Sequence, residues 1–491
     1  MTAFLQRRPA LVWGGIALAL LAAQAVIVAI APGFDYWTPW LDRPTGVYVA
    51  VSMAAGAAFL LLMPLIRVSG FDRRWFALAI AVGLAMRVGM VGTTPIFEDD
   101  FYRYLWDGAV TAHGLDPYAH APGTAITDGP LGPVPLETLT DEQQRLVALG
   151  ERSGEVVDRV NHPTVRTIYP PLAQAAFALS HWLAPWSLDG WRLVLLAAEL
   201  ATLGLMLALL GALGRSRLWV LLYWWNPLVV AEIMNAAHMD ALLVPALTAV
   251  LLLVARGRPV AASAALAVAV AIKLWPAVLA PVVLRPLLAR PRQLGLAVAV
   301  FAGLTAVLLA PQAVSGLGHG GGVVVYAQSW QTNAFAFPLL AAGLDWMVDL
   351  AGLAVFDVQA LARLAVAVLV GGLALAINRR PAGDAREVAG RMLAITAALF
   401  LLSPAQYPWY VVWLLPMLVV RPSLPLLLLT MTLPLYYLRF PLAVLDRSDL
   451  FDTAVVALQF APVWGLLAWA AAARLWRPVA PLDRKGPLHA V

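Results

Sequence analysis

The amino-acid sequence predicts an all-α protein that crosses a membrane many times. Of its 491 residues, 62% are hydrophobic and only 12% are charged, and the mean hydropathy is +0.79. So much apolar surface could not be hidden inside one soluble globule. This composition disfavours soluble enzymes, and the absence of Cys excludes disulfides, thiolate metal sites and thiol catalysis.

The charges are unevenly distributed along the chain. Residues 94–168 contain 12 of the 28 acidic and 5 of the 33 basic residues, a net charge of −7, and the rest of the chain carries +12. Arg clusters between apolar runs follow the positive-inside rule, so the basic pI of 9.6 does not indicate a nucleic-acid partner. With the N-terminus inside, helices at 10–31, 46–66 and 75–92 place residues 94–168 outside.

The chain is expected to contain four regions and 12–14 hydrophobic segments. The regions are N-terminal transmembrane helices (1–93), a periplasmic catalytic loop (94–168), a transmembrane core (169–478) and a cytoplasmic tail (479–491). The run at 10–31 is too long for the apolar region of a signal peptide, which favours an uncleaved first helix. Segments 169–186 and 336–354 do not fit strict alternation and are predicted to be half-helices or re-entrant. Residues 136–149 suggest a short interfacial helix.

Spacing from the Arg clusters estimates the depth of polar residues in the membrane. Lys273 follows Arg258 by 15 residues, about 22 Å of helix, and Pro276 then starts a return. Because this hairpin is too short to cross and return, Lys273 should stop in the outer half of the bilayer. The stretch from Glu232 to Asp240 is expected at the outer face.

An acidic and aromatic segment at 98–108 is the first candidate site. It begins with three adjacent carboxylates, including Asp99 and Asp100, and continues through Arg103 and Asp107. A carboxylate at a membrane exit could serve as a general base toward an alcohol or water. A solvated acidic loop with an interfacial aromatic belt is the equally weighted alternative.

Polar groups within apolar segments are further candidates. Glu232, Asn235 and His238 could share a helix face if the helix continues, and a polar network is favoured there over a metal site. Lys273 is one of only two Lys residues and suits an anionic group such as phosphate, with snorkelling as the alternative. Segments 329–333 and 403–410 combine aromatic and amide groups that suit sugar binding or interfacial anchoring.

Seven motifs together resemble bacterial integral-membrane glycosyltransferases of the GT-C superfamily. The nearest similarity is to polyprenol-phosphate-mannose-dependent mannosyltransferases. The motifs are Glu-Asp-Asp-Phe-Tyr-Arg-Tyr-Leu-Trp-Asp-Gly at 98–108, Gly-Leu-Asp-Pro-Tyr at 114–118, Tyr-Pro-Pro-Leu-Ala-Gln at 169–174, Trp-Asn-Pro-Leu-Val at 225–229, His-Met-Asp-Ala at 238–241, Lys-Leu-Trp-Pro at 273–276 and Ser-Pro-Ala-Gln-Tyr-Pro-Trp-Tyr at 403–410. Asp116 departs from the usual Asn of the second motif, which leaves the acceptor open.

The resemblance implies a GT-C-like fold and an inverting hexose transfer, with mannose as the expected sugar, from a polyprenyl-phosphate donor. The catalytic carboxylate maps onto Asp99 or Asp100, with Asp99 favoured, and the reaction is expected at the periplasmic face of the inner membrane. Lys273, helped by Arg87 or Arg439, would stabilise the leaving phosphate. The residues expected to position the sugar or acceptor are Arg103, Asp107, Tyr169, His238, Asp240, Asn333, Gln406 and Tyr410.

The expected partners are the lipid-linked donor, a lipid-linked or polysaccharide acceptor, and membrane lipids, with no nucleic acid. No cofactor is required by these residues, and a divalent metal is left undecided. A transporter or flippase of lipid-linked or anionic solutes is the alternative, because intramembrane charges also mark transport paths. A transporter should concentrate its charges near the midplane, whereas here they are predicted at the outer leaflet.

Overall fold

A computed structural model describes residues 9–70, 72–97, 99–126, 128–129, 132–133, 136–316, 321–353 and 357–475. These residues confirm the predicted polytopic all-α architecture, since strand pairing in the part of the chain described is limited to the short strands β1 (Asp128–Gly129) and β2 (Gly132–Pro133) and one parallel bridge between Thr332 and Ala405. The tail predicted at 479–491 lies outside the described residues.

The N-terminal half contains the helices that carry the acidic segment. Thr140 and Gln143 form a capping box at the start of α6, so this helix begins at Asp141 instead of the expected Leu136. Pro171 opens α7, where its missing N–H costs no hydrogen bond. The helices are α1 (Pro9–Ile30), α2 (Thr45–Leu60), α3 (Leu62–Val68), α4 (Arg73–Val88), α5 (Asp100–Ala112), α6 (Asp141–Arg152), α7 (Pro171–Leu183) and α8 (Leu188–Ala212).

The C-terminal half is built from longer helices and short broken ones. The α-helices are α9 (Leu221–Trp224), α10 (Pro227–Val229), α11 (Leu243–Ala255), α12 (Pro259–Ile272), α13 (Ala280–Leu284), α14 (Pro291–Ser315), α15 (Gly322–Ser329), α16 (Ala336–Leu350), α17 (Val358–Ile377), α18 (Ala385–Leu402), α19 (Leu415–Val420), α20 (Leu424–Leu427), α21 (Leu429–Thr432), α22 (Arg439–Val444), α23 (Ser448–Leu450) and α24 (Val456–Leu475). Two π-helical turns, Val230–Asn235 and Phe451–Val455, extend α10 and precede α24.

Tight 3₁₀ turns connect many of these helices. Such turns are common at the ends of α-helices, where i→i+3 hydrogen bonds replace the α-helical pattern. They are Ala31–Phe34, Pro122–Ala125, Leu136–Thr138, Arg217–Val220, Met239–Leu242, Trp275–Leu279, Arg285–Leu287, Pro408–Leu414 and Leu433–Leu438.

Seven helical segments in the described part of the chain are long and apolar enough to cross a membrane. A further pair, Pro227–Asn235 and Met239–Ala255, would make an eighth but is bent by 109° at its break. Helices α7 and α16 have 13 and 15 residues, about 20 and 22 Å, which is shorter than a hydrocarbon core of about 30 Å. Both fall within the segments predicted as half-helices.

Helix α5 is held against α7 by a close backbone approach. A Cβ added to Gly108 would lie 2.4 Å from the carbonyl oxygen of Phe177, so only glycine permits this packing. Helix α4 is fixed by two indole donors, because Trp224 Nε1 bonds to the Ile80 carbonyl and Trp225 Nε1 to that of Ala79. These contacts place the start of α5 beside the bend that follows α10.

Candidate active site

A cavity of about 600 Å³ lies where α5, the bend before α11 and the loop at 403–413 meet. We call it the first cavity. Eight of the thirteen predicted site residues line it: Asp99, Asp100, Arg103, Tyr169, Asp240, Lys273, Tyr410 and Arg439. Residues from distant parts of the sequence thus converge on one pocket.

Asp99 immediately precedes α5 and borders the first cavity. Its Oδ1 accepts a hydrogen bond from Nδ2 of Asn161. Burial raises the pKa of Asp99 to about 6, while the Asn161 bond and the charge of Arg43 oppose the rise. With this pKa, Asp99 is mostly ionised at pH 7 and can accept a proton.

Asp100 is the first residue of α5 and faces the same cavity. Burial raises its pKa to about 7, and the charges of Asp99 and Asp240 add to the rise while Lys273 opposes it. Its Oδ2 accepts a long hydrogen bond of 3.5 Å from the Tyr104 hydroxyl. Two adjacent carboxyl groups, both with a raised pKa, are therefore available at one place.

Lys273 supplies a positive charge to the cavity wall. It follows the last residue of α12 in an extended conformation, and its Nζ lies 2.6 Å from Asp240 Oδ1. The same carboxylate accepts a 2.6 Å hydrogen bond from Trp413 Nε1. Lys273 also lies 4.3 Å from the ring centroid of Tyr410, so carboxylate and aromatic faces stabilise the ammonium.

The two predicted aromatic and amide loops are joined by backbone hydrogen bonds. Thr332 N donates to the Pro404 carbonyl at 2.9 Å, and Gln406 N donates to the Thr332 carbonyl at 3.1 Å. Arg439 Nη1 then donates to Thr332 Oγ1 at 2.7 Å. This pairing aligns the two loops along one edge of the cavity.

Arg103 reaches the cavity from α5 and is held by neighbours. Its Nε donates to Asp107 Oδ1 at 2.8 Å, and its Nη1 donates to the Val165 carbonyl at 2.9 Å. Gln174 Nε2 donates to the other oxygen of Asp107 at 3.1 Å. Asp107 does not line the first cavity, and its bond to Arg103 orients the guanidinium.

Arg87, which the sequence assigned to the donor phosphate, does not line the first cavity. Its side chain is fully buried, and its Nε lies 2.6 Å from Glu199 Oε2. Its Nη1 donates to the carbonyls of Gly83 and Trp224. The ion pair with Glu199 links α4 to α8.

Three other predicted residues also lie behind the cavity wall. His238 is buried, stacks on Trp409 with ring centroids 3.7 Å apart, and places Nδ1 3.8 Å from Asp100 Oδ2. Asn333 bonds to Gln459 and to the Gln406 carbonyl. Gln406 bonds through Nε2 to the Leu401 carbonyl, so these side chains fix loops and do not form the cavity surface.

The predicted polar face at 232–238 is not a regular helix face. The π-helical turn ends at Asn235, and Ala237 adopts a positive φ of 63°, which separates His238 from the helix. Glu232 instead accepts from the Tyr437 hydroxyl at 2.9 Å, and Asn235 bonds to the segment before α5. Among the described residues, no group of three His, Asp or Glu side chains is arranged to hold a metal ion.

Several cavity residues were not singled out in the sequence. Asn161, to which the sequence assigned no role in the site, bonds to Asp99 across 62 residues. Tyr326 places its hydroxyl 2.8 Å from that of Tyr410, and Trp413 holds Asp240. The aromatic composition of these segments was a signal, but only long-range packing shows which rings face the cavity.

These features define a multi-pass membrane protein with a carboxylate and ammonium site in a cavity. The chain is 27% identical over 347 residues to alpha-(1→6)-mannopyranosyltransferase A of Mycobacterium tuberculosis, a match that covers 65% of this chain and 61% of that enzyme. It is 26% identical over 360 residues to alpha-(1→6)-mannopyranosyltransferase A of Corynebacterium glutamicum, covering 66% of this chain and 67% of that enzyme. No family model matches the chain, and no solved structure does. The predicted resemblance to membrane mannosyltransferases is confirmed.

Proposed function

We propose that this protein is a mannosyltransferase that uses a polyprenyl-phosphate-linked mannose as donor and acts at the outer face of the membrane. The observation that carries the proposal is the convergence of Asp99, Asp100 and Lys273 on one cavity within a membrane-spanning fold. The two mannopyranosyltransferase relatives support mannose as the sugar. The donor, the stereochemical course and the membrane face rest on the resemblance of the motifs.

The proposed reaction is a single displacement at the anomeric carbon. The acceptor oxygen forms a bond to that carbon while the bond from the carbon to the phosphate oxygen breaks. The leaving electron pair stays on polyprenyl phosphate, and the proton of the acceptor hydroxyl passes to a carboxylate. One displacement inverts the anomeric centre.

Asp99 is the better general base of the two carboxylates. The Asn161 amide donates to its carboxylate and favours the charged form that accepts a proton, whereas the charges of Asp99 and Asp240 raise the pKa of Asp100 and favour its protonated form. The charges of Lys273 and Asp240 also act on the pKa of Asp100, which Asp240 raises and Lys273 lowers. We therefore assign Asp99 to the acceptor proton and Asp100 to the donor side.

Lys273 and Arg439 are the cations assigned to the leaving phosphate. Both line the first cavity, and their charges would stabilise the negative charge that develops on the phosphate oxygen. No nucleotide site is needed, because the leaving group is a lipid phosphate that remains in the membrane.

The test is transfer of radiolabelled mannose from polyprenyl-phosphate-mannose to membrane lipid extract. Asp99→Asn keeps the size of the side chain but removes the base, and we expect turnover to fall by about 10²–10⁴-fold with donor binding retained. Asp100→Asn should lose less, and Asp158→Asn, an exposed carboxylate outside the cavity, is the matched control. Normal turnover in Asp99→Asn would contradict the assigned base. Donor binding without any transfer by the wild type would instead favour the transporter alternative.

A further inference from the structure

A second cavity of about 790 Å³ also borders Asp99. Three residues, Trp40, Phe97 and Asp99, line both cavities. The second cavity is otherwise formed by the turn between α1 and α2, the segment before α5 and the start of α8. Asp99 is thus the titratable side chain shared by two neighbouring spaces among the described residues.

Aromatic rings form one wall of the second cavity. Tyr36 and Trp37 pack edge to face with centroids 5.1 Å apart, and Tyr36 contacts Tyr102 of α5 in the same way at 6.4 Å. The side chains of Tyr36 and Trp37 remain 43% and 73% exposed. Exposed aromatic faces of this kind suit the apolar faces of sugar rings.

The arginines that line the second cavity form hydrogen bonds and ion pairs with other groups of the protein. Arg43 donates to the backbone carbonyls of Asp35, Tyr36 and Thr38. Arg159 donates to the Tyr102 hydroxyl at 2.9 Å, pairs with Glu155 and lies 4.3 Å from the Tyr36 ring.

Arg192 is engaged in the same way. Its Nη1 lies 3.0 Å from Asp189 Oδ1, and its Nη2 donates to the Asn235 carbonyl at 2.7 Å. Cations that build the wall in this way favour a neutral ligand over a phosphate.

Carboxylates and backbone groups complete the polar surface. Asp189 accepts from the Gly92 amide and from Arg192 through Oδ1, and its side chain is 48% exposed. A carboxylate can accept further hydrogen bonds from hydroxyl groups through its other lone pairs. Aromatic faces beside such acceptors match a hydroxyl-rich ligand.

We infer that the second cavity is the acceptor site and that it binds the terminal sugar of a neutral glycan against Tyr36 and Trp37. This inference rests on the proposed function, because it gives the two substrates separate cavities that meet at the proposed base. A hydroxyl of a sugar held there would approach Asp99 from the second cavity, and the donor would lie in the first. The phosphate of the donor would then remain beside Lys273, away from the neutral acceptor.

The test separates acceptor binding from donor use with octyl α-D-mannopyranoside as the acceptor probe. In Tyr36→Ala and Trp37→Ala we expect the KM for the probe to rise about tenfold, with the KM for polyprenyl-phosphate-mannose unchanged. Trp37→Phe, which keeps a ring, should restore most of the probe affinity, and the unchanged KM for the donor would show that the alanine variants fold. Trp182→Ala is the matched control, because Trp182 is 68% exposed and lines neither cavity.

A second measurement makes the inference independent of turnover. Saturation-transfer NMR of the probe with the purified protein in detergent, without donor, should show binding to the wild type and loss in Trp37→Ala. If the wild type transfers mannose but both alanine variants keep the wild-type KM for the probe, the acceptor site is wrong and the proposed function stands. If the wild type transfers nothing but binds the probe through Trp37, the acceptor site stands and the proposed function fails. An equal loss in Trp182→Ala would indicate membrane anchoring and overturn the inference.

Discussion

The surroundings of Asp99 shift its pKa in opposite directions, and the resulting pKa predicts the pH dependence of transfer. Burial raises its pKa to about 6, and only the deprotonated form can take the acceptor proton. Activity should therefore be high above this pKa and fall as the pH drops through about 6. The pH profile of kcat/KM for the wild type measures this acid limb, and a rate that stays constant down to pH 4.5 would contradict Asp99 as the base.

Asn161 provides a sharper test of the same carboxylate. Its amide donates to Asp99 Oδ1, stabilises the charged form and so lowers the pKa. Asn161→Ala removes this donor, so the pKa of Asp99 should rise and the acid limb should move to higher pH. A role in folding alone would lower the rate at every pH without moving the limb. Gln143→Ala, at the start of α6 and outside both cavities, is the control.

Lys273 is predicted to contribute to donor binding, and this contribution can be separated from its contribution to stability. Lys273→Met alone leaves Asp240 buried without its cation, a change that typically costs about 3–5 kcal/mol. The double variant Lys273→Met with Asp240→Asn removes both charges and should unfold near the wild-type temperature. It should nevertheless bind polyprenyl phosphate at least about tenfold more weakly, because a phosphate loses its cation. Wild-type affinity in a folded double variant would remove Lys273 from the donor site.

At the scale of elements, the contact between α5 and α7 determines where the carboxylates lie. Gly108→Ala would place a Cβ 2.4 Å from the Phe177 carbonyl oxygen, and the helices would have to separate. We expect a loss of about 1–3 kcal/mol in the free energy of unfolding and a reduced kcat, since α5 starts at Asp100. Thermal unfolding and transfer assays measure the two effects.

Gly204→Ala is the matched control for this helix contact. Gly204 lies within α8, and a Cβ there meets nothing within 4 Å. Alanine also favours helix over glycine, so this variant should be as stable as the wild type or slightly more stable. Equal destabilisation in both variants would show that the approach of α5 to α7 is not the cause.

Bends between elements were predicted less well than the elements. Arg spacing and Pro276 correctly indicated that α12 ends at the cation, because helix rise and proline chemistry act locally. The positive φ of Ala237 had no such signal, since nothing in the sequence marks a nonglycine residue for that conformation. The three-residue spacing of Glu232, Asn235 and His238 therefore suggested a shared face that the chain does not form.

Across the whole molecule, the sequence indicated the fold class and most of the residues that line the first cavity. It did not indicate which distant side chains pair with one another. Apolar runs and motifs report local chemistry, and they sufficed for Asp99, Asp100 and Lys273. The pairing of Arg87 with Glu199 spans 112 residues, so the local sequence does not show that this intramembrane charge has a carboxylate partner. The turn at 34–43 was missed for the same reason, because only packing brings it beside Asp99.

The orientation of the whole molecule can be tested directly because the chain contains no Cys. The positive-inside pattern places the segment near Arg285–Arg292 in the cytoplasm and residues 94–168 outside. Both Ala289 and Asp158 are exposed, so each can carry a single introduced thiol. In right-side-out membrane vesicles, a membrane-impermeant maleimide should label Asp158→Cys at once and Ala289→Cys only after detergent is added.

The cysteine-free wild type is the control for this labelling. The reverse pattern would place Asp99 and both cavities on the cytoplasmic side, and the proposed outer-face reaction would be wrong. Labelling of both positions before detergent would show leaky vesicles, which a soluble protein trapped inside them would reveal independently. Labelling of Asp158→Cys alone would place the proposed base on the same side as the predicted lipid-linked donor, as a single-displacement transfer at that face requires.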